Sequence, residues 1–441
     1  MSEGKQSKLG RALDRLQGLT PERTRGRVTD LTGLVIRACC AGARIGDQVQ
    51  VLRSEMDPLQ AEVVGFSRDH VLLMPLGDTD GVGPDSLVES TGSRLSLWCG
   101  PNLLGRVLDG LGRPIDRGPS LDLEQMQQIP VERPAPDPLS RPRIRRPLSL
   151  GLRVVDGLLT VGQGQRVGLF AGSGVGKSTL LGQVARNTEA DVSVICLVGE
   201  RGREVREFIE EALGDGLARS VVVCATSDTP PLVRLRSASV ATAVAEYFRD
   251  RGQRVLLLMD SVTRFARAQR EVGLAAGEPP ARRGYPPSVF ARLPRLLERT
   301  GTSEHGSITA IYTVLVEGGD MEEPIADEVR GILDGHIVLS RELAQRGHWP
   351  AVDVLQSLSR VMPAVTDEEQ RRAAQQLRTV LAVYERQRDL ILLGAYKPGS
   401  DPETDHAISM IEPVNRFLRQ GLDETPSLEQ SRQALLALFP G

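Results

Sequence analysis

The 441-residue sequence predicts an α/β protein whose parallel sheet is covered by helices, with a small β-barrel before the sheet and a helical domain after it. In the middle of the chain, apolar runs such as 192–198 and 255–259 alternate with helical segments such as 232–250. This alternation is typical of a parallel sheet with helices on both faces. Residues 26–97 instead carry short β-rich pieces between Gly and Asp turns, and 364–441 show the periodic apolar face of helices.

These patterns divide the chain into four segments: a tail at 1–25, a β-barrel domain at 26–97, an α/β domain at 98–362 and a C-terminal helical domain at 363–441. An oligonucleotide-binding barrel would need aromatic residues for stacking, and Phe66 is the only aromatic residue in 26–97. We therefore favour a structural barrel over one that binds nucleic acid.

The composition argues against several classes of protein. The net charge of −3 and the aromatic content of 3% give no general basis for binding nucleic acid. No apolar run approaches the roughly 18 residues of a membrane helix, and the N-terminal segment lacks the apolar core of a signal peptide. The five cysteines are odd in number and show no metal-type spacing, so we expect free thiols in a reducing cytoplasm.

The tail contains six Lys and Arg residues against three Asp and Glu residues. Leu9, Leu13 and Leu16 fall at i, i+4 and i+7, which places them on one face of a short helix. Two interpretations stay open: a frayed terminus, or a docking helix for a partner protein or an anionic membrane surface.

A glycine-rich stretch in the α/β domain indicates a phosphate-binding loop. The apolar run 167–170 predicts a buried strand before it, and the residues from Ser178 to Arg186 predict a helix after it. Glycine lets backbone N–H groups turn inward around a phosphate. Lys177 can reach the β- and γ-phosphates, and Ser178 can hold Mg²⁺. The residues expected to contact the nucleotide are Gly172, Ser173, Gly174, Val175, Gly176, Lys177, Ser178 and Thr179.

Two further strand ends carry candidate residues, because functional sites on such sheets lie beyond the carboxyl ends of the strands. Glu200 follows the run 192–198, where a carboxylate can orient and polarise an attacking water. The alternative is a capping or salt-bridged glutamate. Asp260 ends the run 255–259 and fits the acidic residue that holds Mg²⁺, although many buried strands end in aspartate.

The segment after the predicted sheet offers two more candidates. Arg360 is a candidate arginine finger, which would stabilise charge on a transferring phosphoryl group; the alternative is a surface or salt-bridged arginine. Trp349 could stack on an adenine, and the alternative is a core or interface aromatic.

Several motifs together resemble the catalytic subunits of rotary ATPases, and among them the flagellar and type III protein-export ATPases. The segments that carry the resemblance are 156–162, 170–178, 285–290, 328–337, 350–353 and 357–359. The resemblance runs from about Gly26 to about Gln420. It implies a RecA-like P-loop ATPase domain at 98–362. Ala171 stands where the loop pattern expects glycine, and the export branch shares this departure.

The resemblance also implies roles for individual residues. Glu200 matches the family's catalytic glutamate, and Asp260 matches its Mg²⁺-side aspartate. Arg201 matches the neighbour of that glutamate, Arg264 a second active-site arginine, and Arg360 a finger inserted into the adjacent subunit's site. The expected catalytic set has five members, which are Lys177, Glu200, Arg201, Arg264 and Arg360.

The chain departs from the family pattern at two further positions. Trp349 replaces the usual Tyr, so we expect stacking on the base to survive with a different affinity. Gly319 stands where many relatives have Asp, and we attach no consequence to it. The segment that begins at Tyr285 resembles a loop facing the central channel of the ring.

Together these features predict a Mg²⁺-dependent, homohexameric ATPase that energises protein export through a flagellar or type III secretion apparatus. We expect it in the cytoplasm, peripheral to the inner face of the membrane export apparatus. The expected partners are other copies of the chain, a stator or regulator protein at the tail, a central stalk protein, export chaperone–cargo complexes and the export gate, with no nucleic acid.

Three alternatives remain at this stage. The chain could be a catalytic subunit of a proton-translocating rotary ATPase, a hexameric RNA translocase, or a non-catalytic nucleotide-binding subunit. The last class lacks the carboxylate that Glu200 supplies.

Overall fold

The computed structural model describes residues 25–67 and 69–440, apart from the side chain of Glu317. Their contacts separate into two compact units, divided between Leu95 and Ser96. All of the predicted tail except Arg25 lies outside the described residues, so the docking helix with Leu9, Leu13 and Leu16 stays a prediction.

The first unit is a closed antiparallel barrel, as predicted. Its strands are β1 Arg25–Thr32, β2 Val35–Cys39, β3 Asp47–Arg53, β4 Met56–Ser67, β5 His70–Pro75 and β6 Leu87–Arg94. They close in the order β1-β2-β5-β4-β3-β6. The interior is aliphatic, with Ile36, Val51, Leu73 and Val88 fully buried, whereas Phe66 is 71% exposed. An aliphatic interior of this kind is what a structural barrel needs.

The second unit is built on the predicted α/β sheet. Its strands are β8 Val107–Asp109, β10 Arg166–Ala171, β11 Val192–Glu200, β12 Ser220–Thr226, β13 Arg254–Asp260, β14 Gly301–Thr302, β15 Ser307–Leu315, β16 Gly335–Leu339 and β17 Val352–Ser359. The order is β17-β16-β10-β15-β13-β11-β12-β8, with β14 beside β15. Strands β7 Ser96–Cys99 and β9 Gln127–Pro130 form a separate ribbon.

Helices cover this sheet and continue to the C-terminus. They are α1 Arg153–Leu158, α2 Lys177–Asn187, α3 Gly202–Glu207, α4 Pro231–Arg249, α5 Val262–Ala275, α6 Pro287–Leu297, α7 Pro324–Ile332, α8 Arg341–Gln345, α9 Met362–Val365, α10 Glu368–Leu392, α11 Pro402–Leu418 and α12 Leu428–Leu436. Among the described residues, no helix is both long enough and apolar enough to cross a membrane.

The C-terminal helices share one apolar core with the sheet. Leu377 of α10, Phe417 of α11 and Leu435 of α12 belong to the same buried cluster as Leu169 of β10. Helix α10 begins where the acidic segment predicts it, because the Asp367 carboxylate accepts the N–H of Gln370 at 2.8 Å. The boundary between the predicted segments 98–362 and 363–441 stays a prediction.

The strand order brings distant parts of the sequence to one edge of the sheet. The neighbouring strands β10, β15, β13 and β11 are all parallel, so their carboxyl ends lie on the same side. The register pairs Ala171 with Leu315 and Leu197 with Asp260. These pairs lie at or near the carboxyl ends of their strands. The last residues of β10, β13 and β11, which are Ala171, Asp260 and Glu200, therefore lie along one edge of the sheet.

Gly182 tests how tightly α2 is held. A Cβ at Gly182 would lie 2.7 Å from the Cβ of Ala212 and closer still to the Ala212 carbonyl. We expect Gly182→Ala to lower the free energy of unfolding by about 1–3 kcal/mol, because α2 must move away from the 208–213 segment. In the control Gly331→Ala, on α7, the new methyl meets nothing within 4 Å. It should be neutral or stabilising by up to about 1 kcal/mol. Urea unfolding followed by circular dichroism measures both, and equal effects would contradict the tight packing.

Candidate active site

The loop between β10 and α2 contains two glycines with positive φ angles. Gly174 and Gly176 have φ of 76° and 77°, a region that residues with a Cβ rarely adopt. A Cβ on Gly176 would also lie 2.7 Å from the Trp349 ring. Ala171 is the last residue of β10 and is 1% exposed in ordinary strand geometry. Because the Ala171 position lies in a strand, its backbone does not need glycine.

Lys177, the first residue of α2, lies between two carboxylates. Its Nζ is 2.5 Å from Asp260 Oδ1 and 3.9 Å from Glu200 Oε1. The side chains of Lys177, Asp260 and Glu200 are 14%, 6% and 9% exposed. Asp260 Oδ1 also accepts the hydroxyl of Thr313 on β15 at 2.7 Å. The structure therefore brings together three predicted site residues from three separate strand ends.

The two carboxylate oxygens of Glu200 have different surroundings. Arg264 Nη2 lies 3.1 Å from Oε2, and Arg264 Nη1 donates to the Gly199 carbonyl. Oε1 is buried without a hydrogen-bond partner among the described residues. Burial and then the charge of Asp260 raise the pKa of Glu200 to about 7. The charges of Lys177 and Arg264 oppose this shift in the pKa.

The remaining loop residues face outward. Ser173, Gly174, Ser178 and Thr179 are exposed, whereas Val175 is buried. A Cβ added to Gly172 would lie 3.7 Å from the Val316 carbonyl oxygen, so the space around its Cα is not crowded. The first turn of α2 thus presents hydroxyl groups and backbone N–H groups beside the buried charges.

Trp349 stands beside an apolar cavity of about 400 Å³ next to the loop. The ring is 42% exposed, and Leu180 and Pro350 also line this cavity. The cavity is further lined by Gln420, Gly421 and Leu422, and Gln183 donates to the Gly421 and Leu422 carbonyls at 3.2 Å each. Sequence reasoning missed these contributions.

The C-terminal segment was assigned no site residue because its helical pattern carries no sign of a bound ligand. Gln420 to Leu422 follow the end of α11, and only the packing of that helix brings them near the loop. Thr313 was missed for a related reason, since it lies inside an apolar run whose pattern predicts only a buried strand.

Two predicted arginines do not contact Lys177, Asp260 or Glu200 with their side chains in the same chain. Arg201 is 76% exposed and pairs with Glu204 at 3.6 Å. Arg360 is exposed and follows β17, which runs antiparallel to β16. Ser359 pairs with the start of β16, whereas Val352 pairs with Leu339 near the loop edge. Arg360 therefore lies at the opposite edge of the sheet, roughly 15 Å along β16 from the loop edge.

Comparison with known families gives matches along most of the chain. The β-barrel domain of the ATP synthase alpha/beta family matches residues 28–92, and its nucleotide-binding domain matches residues 151–359. The T3SS EscN ATPase C-terminal domain matches residues 366–437.

Individual relatives match over nearly their whole length. The flagellum-specific ATP synthase of Bacillus subtilis is 54% identical over 416 residues, covering 94% of each chain. The type 3 secretion system ATPase of Xanthomonas euvesicatoria is 52% identical over 425 residues, covering 96% of each chain. The structure of the assembled ATPase EscN from the enteropathogenic E. coli type III secretion system has a TM-score of 0.88 and 46% identity. It covers 94% of this chain and 99% of that chain.

The C-terminal match and the full-length relatives point to one branch of the larger family. The barrel and the nucleotide-binding sheet are common to ATP synthase subunits, whereas the C-terminal helices match the secretion ATPases. The chain therefore belongs to the ATP synthase α/β family and, within it, to the ATPases of flagellar and type III protein-export systems.

Proposed function

We propose that this chain hydrolyses Mg·ATP at the loop after β10, and that hydrolysis energises protein export through a flagellar or type III secretion apparatus. The observation that carries the proposal is the position of Lys177 between two buried carboxylates at the carboxyl edge of the sheet. The names of the relatives support the export role, since they are flagellum-specific or type 3 secretion ATPases.

ATP binds with its phosphates in the loop at 172–176. Backbone N–H groups of the loop and of the start of α2 donate to phosphate oxygens, and Lys177 neutralises the β- and γ-phosphates. The adenine occupies the 400 Å³ cavity against Trp349. Val175 of the loop and Thr179 of α2 also line this cavity. The base and the phosphates are therefore bound by one continuous surface.

The oxygen atoms at this edge fit Mg²⁺. Lys177 and Thr313 both contact Oδ1 of Asp260, which leaves Oδ2 for a cation or its water ligands. Ser178 exposes a hydroxyl at the first turn of α2. Carboxylate and hydroxyl oxygens are ligands that Mg²⁺ prefers, so Ser178 and Asp260 would hold it. Bound Mg²⁺ would neutralise charge on the phosphates.

Glu200 positions the water that attacks the γ-phosphate. Its Oε1 has no hydrogen-bond partner among the described residues and is available to accept from water, while Arg264 fixes Oε2. A pKa of about 7 suits a base that works near neutral pH. Arg264 therefore acts as a positioning residue, and a role for Arg201 stays a prediction.

Arg360 acts on the site of an adjacent copy. In its own chain it lies at the far edge of the sheet, so it cannot reach the phosphates bound by its own Lys177. EscN, which shares this fold, has been solved as an assembled ATPase. A homohexamer of this chain would place Arg360 of one copy against the γ-phosphate held by the next.

Several partners of this ring follow from its family. EscN has been solved in complex with its central stalk EscO, and we propose a central stalk protein for this chain as well. The tail would bind a stator or regulator protein, and the ring would receive export chaperone–cargo complexes at the export gate. The chain would work in the cytoplasm at the inner face of the membrane.

The rival functions have less support. A proton-translocating rotary ATPase would share the nucleotide-binding domain, but the C-terminal helices match the secretion ATPases instead. An RNA translocase would need stacking groups, and the barrel offers only one aromatic residue in 26–97. We expect that added RNA does not raise the rate of ATP hydrolysis in an ATPase assay.

Substitutions of Lys177 and Glu200 should affect ATP binding and hydrolysis differently. Lys177→Ala should lose both ATP affinity and hydrolysis, because the ammonium group contacts the phosphates before the reaction as well as during it. Glu200→Gln should still bind ATP but lower kcat at least about a hundredfold, since an amide cannot accept a proton from water. Phosphate release and fluorescent-ATP binding measure the two effects, with the exposed Glu207→Gln as control. Normal turnover in Glu200→Gln would remove this residue from the mechanism.

The rate should depend on pH through Glu200. Because the pKa of Glu200 is raised to about 7, the carboxyl is protonated below that pH, and kcat/KM for ATP should fall there. Arg264→Gln should move this fall to higher pH, since the Arg264 charge lowers the pKa of Glu200. The measurement is phosphate release at low ATP concentration. A profile that stays flat across about pH 6–8 in the unmodified chain would contradict the assignment.

Mixed rings test whether Arg360 acts between copies. Glu200→Gln and Arg360→Ala rings should each be nearly inactive, and mixing the two chains before assembly should restore some activity. With equal random mixing, about a quarter of interfaces combine an intact loop site with an intact finger. Native mass spectrometry establishes co-assembly. No recovery despite co-assembly would mean that the shared site is wrong.

A further inference from the structure

A second cavity lies in the 96–441 unit, at the other edge of the sheet from the loop. It has a volume of about 550 Å³ and is lined by residues 132–135, by residues of α4 and α5, and by 292–299. Glu298 in its wall pairs at 2.5 Å with Arg166, the first residue of β10. The cavity therefore borders the amino end of β10, whereas the proposed ATP site lies beyond its carboxyl end.

The lining of this cavity is rich in arginine. Five arginines line it, namely Arg133, Arg236, Arg292, Arg295 and Arg299, together with two glutamates, Glu132 and Glu298. Neither glutamate is free. Glu132 accepts from Arg236 and from the Ser239 hydroxyl at 3.0 Å, and Glu298 is bound by Arg166 from outside the cavity. Behind the wall, Asp250 pairs with Arg133 and Glu246 with Arg299, so five arginines face four carboxylates, one of which is paired with Arg166.

Arg299 has a donor that no group of the described chain accepts. The side chain is 3% exposed, and its Nε and Nη2 donate to Glu246 at 2.9 and 2.8 Å. Nη1 is buried without a hydrogen-bond partner among the residues described, and Glu132 Oε2 is 3.9 Å away. Leaving a buried guanidinium donor unpaired costs free energy. An acceptor bound in the cavity would remove that cost.

The mouth of the cavity offers a second open cation. Arg295 on α6 is exposed and makes no hydrogen bond or ion pair with any residue in the described part of the chain. Between the cations, Phe265, Pro294 and Leu296 provide apolar wall. Guanidinium groups pair with carboxylate and phosphate oxygens, and apolar wall favours a carbon skeleton between them.

We propose that this cavity binds a small organic anion that carries two or more carboxylate or phosphate groups. One group accepts from Arg299 Nη1, and another reaches the Arg292 and Arg295 side of the cavity. This ligand site is separate from the ATP site, because none of its lining residues belongs to the loop, to the strand ends or to the cavity beside Trp349.

The test is a calorimetric titration of the full chain with citrate in Mg²⁺-free buffer. We expect one citrate per chain, and Arg292→Gln/Arg295→Gln should weaken its binding at least about tenfold. Glu132→Gln should tighten it, because a carboxylate that repels citrate is removed while an acceptor for Ser239 remains. If citrate instead bound at the phosphate loop, its affinity would be the same in all these variants.

A matched control makes the same change in charge elsewhere. Arg372→Gln/Arg386→Gln alters two exposed arginines on α10 and should leave the affinity for citrate within about twofold. Equal circular dichroism melting curves exclude misfolding. The proposal is overturned if citrate does not bind at about 10 mM, or if Arg292→Gln/Arg295→Gln leaves its affinity unchanged. It is likewise wrong if this variant only lowers the hexamer fraction, since the cavity would then take carboxylates of an adjacent copy.

Discussion

Lys177 Nζ lies 2.5 Å from Asp260 and 3.9 Å from Glu200, at a buried edge of the sheet. Burial, and after it the charge of Asp260, raises the pKa of Glu200 to about 7 even though Lys177 and Arg264 lie beside the carboxylates. In the proposed function, Mg·ATP would bring phosphates for the lysine and a divalent cation for the carboxylates. The electrostatics of this edge therefore favour the metal and the nucleotide together over either one alone.

The topology of the sheet places Arg360 away from the loop of its own chain. Parallel strands place Lys177, Asp260 and Glu200 at one edge, and the antiparallel strand β17 carries Arg360 to the other. A finger at the far edge can serve only the loop of another copy. Assembly is thus a requirement of the proposed chemistry.

The C-terminal helices are linked to the cavity beside Trp349. They share an apolar core with the sheet, and Gly421 and Leu422 line the cavity beside Trp349 while binding Gln183 of α2. A ligand in that cavity would contact both the start of α2 and the end of the α11 segment. This direct contact gives a physical route from the cavity beside Trp349 to the helices that match the secretion ATPase C-terminal domain.

The sequence by itself determined the barrel, the alternating strands and helices, and the loop with Lys177, because these depend on local periodicity and on glycine positions. It also marked Glu200 and Asp260 as strand ends. Only the tertiary structure decided that β13 lies between β11 and β15, which brings Asp260 to Lys177 and Thr313. Strand neighbours are chosen by packing between residues far apart in sequence, which no local pattern encodes. For the same reason, the C-terminal wall of the cavity beside Trp349 and the outward direction of Arg201 became visible only in the folded chain.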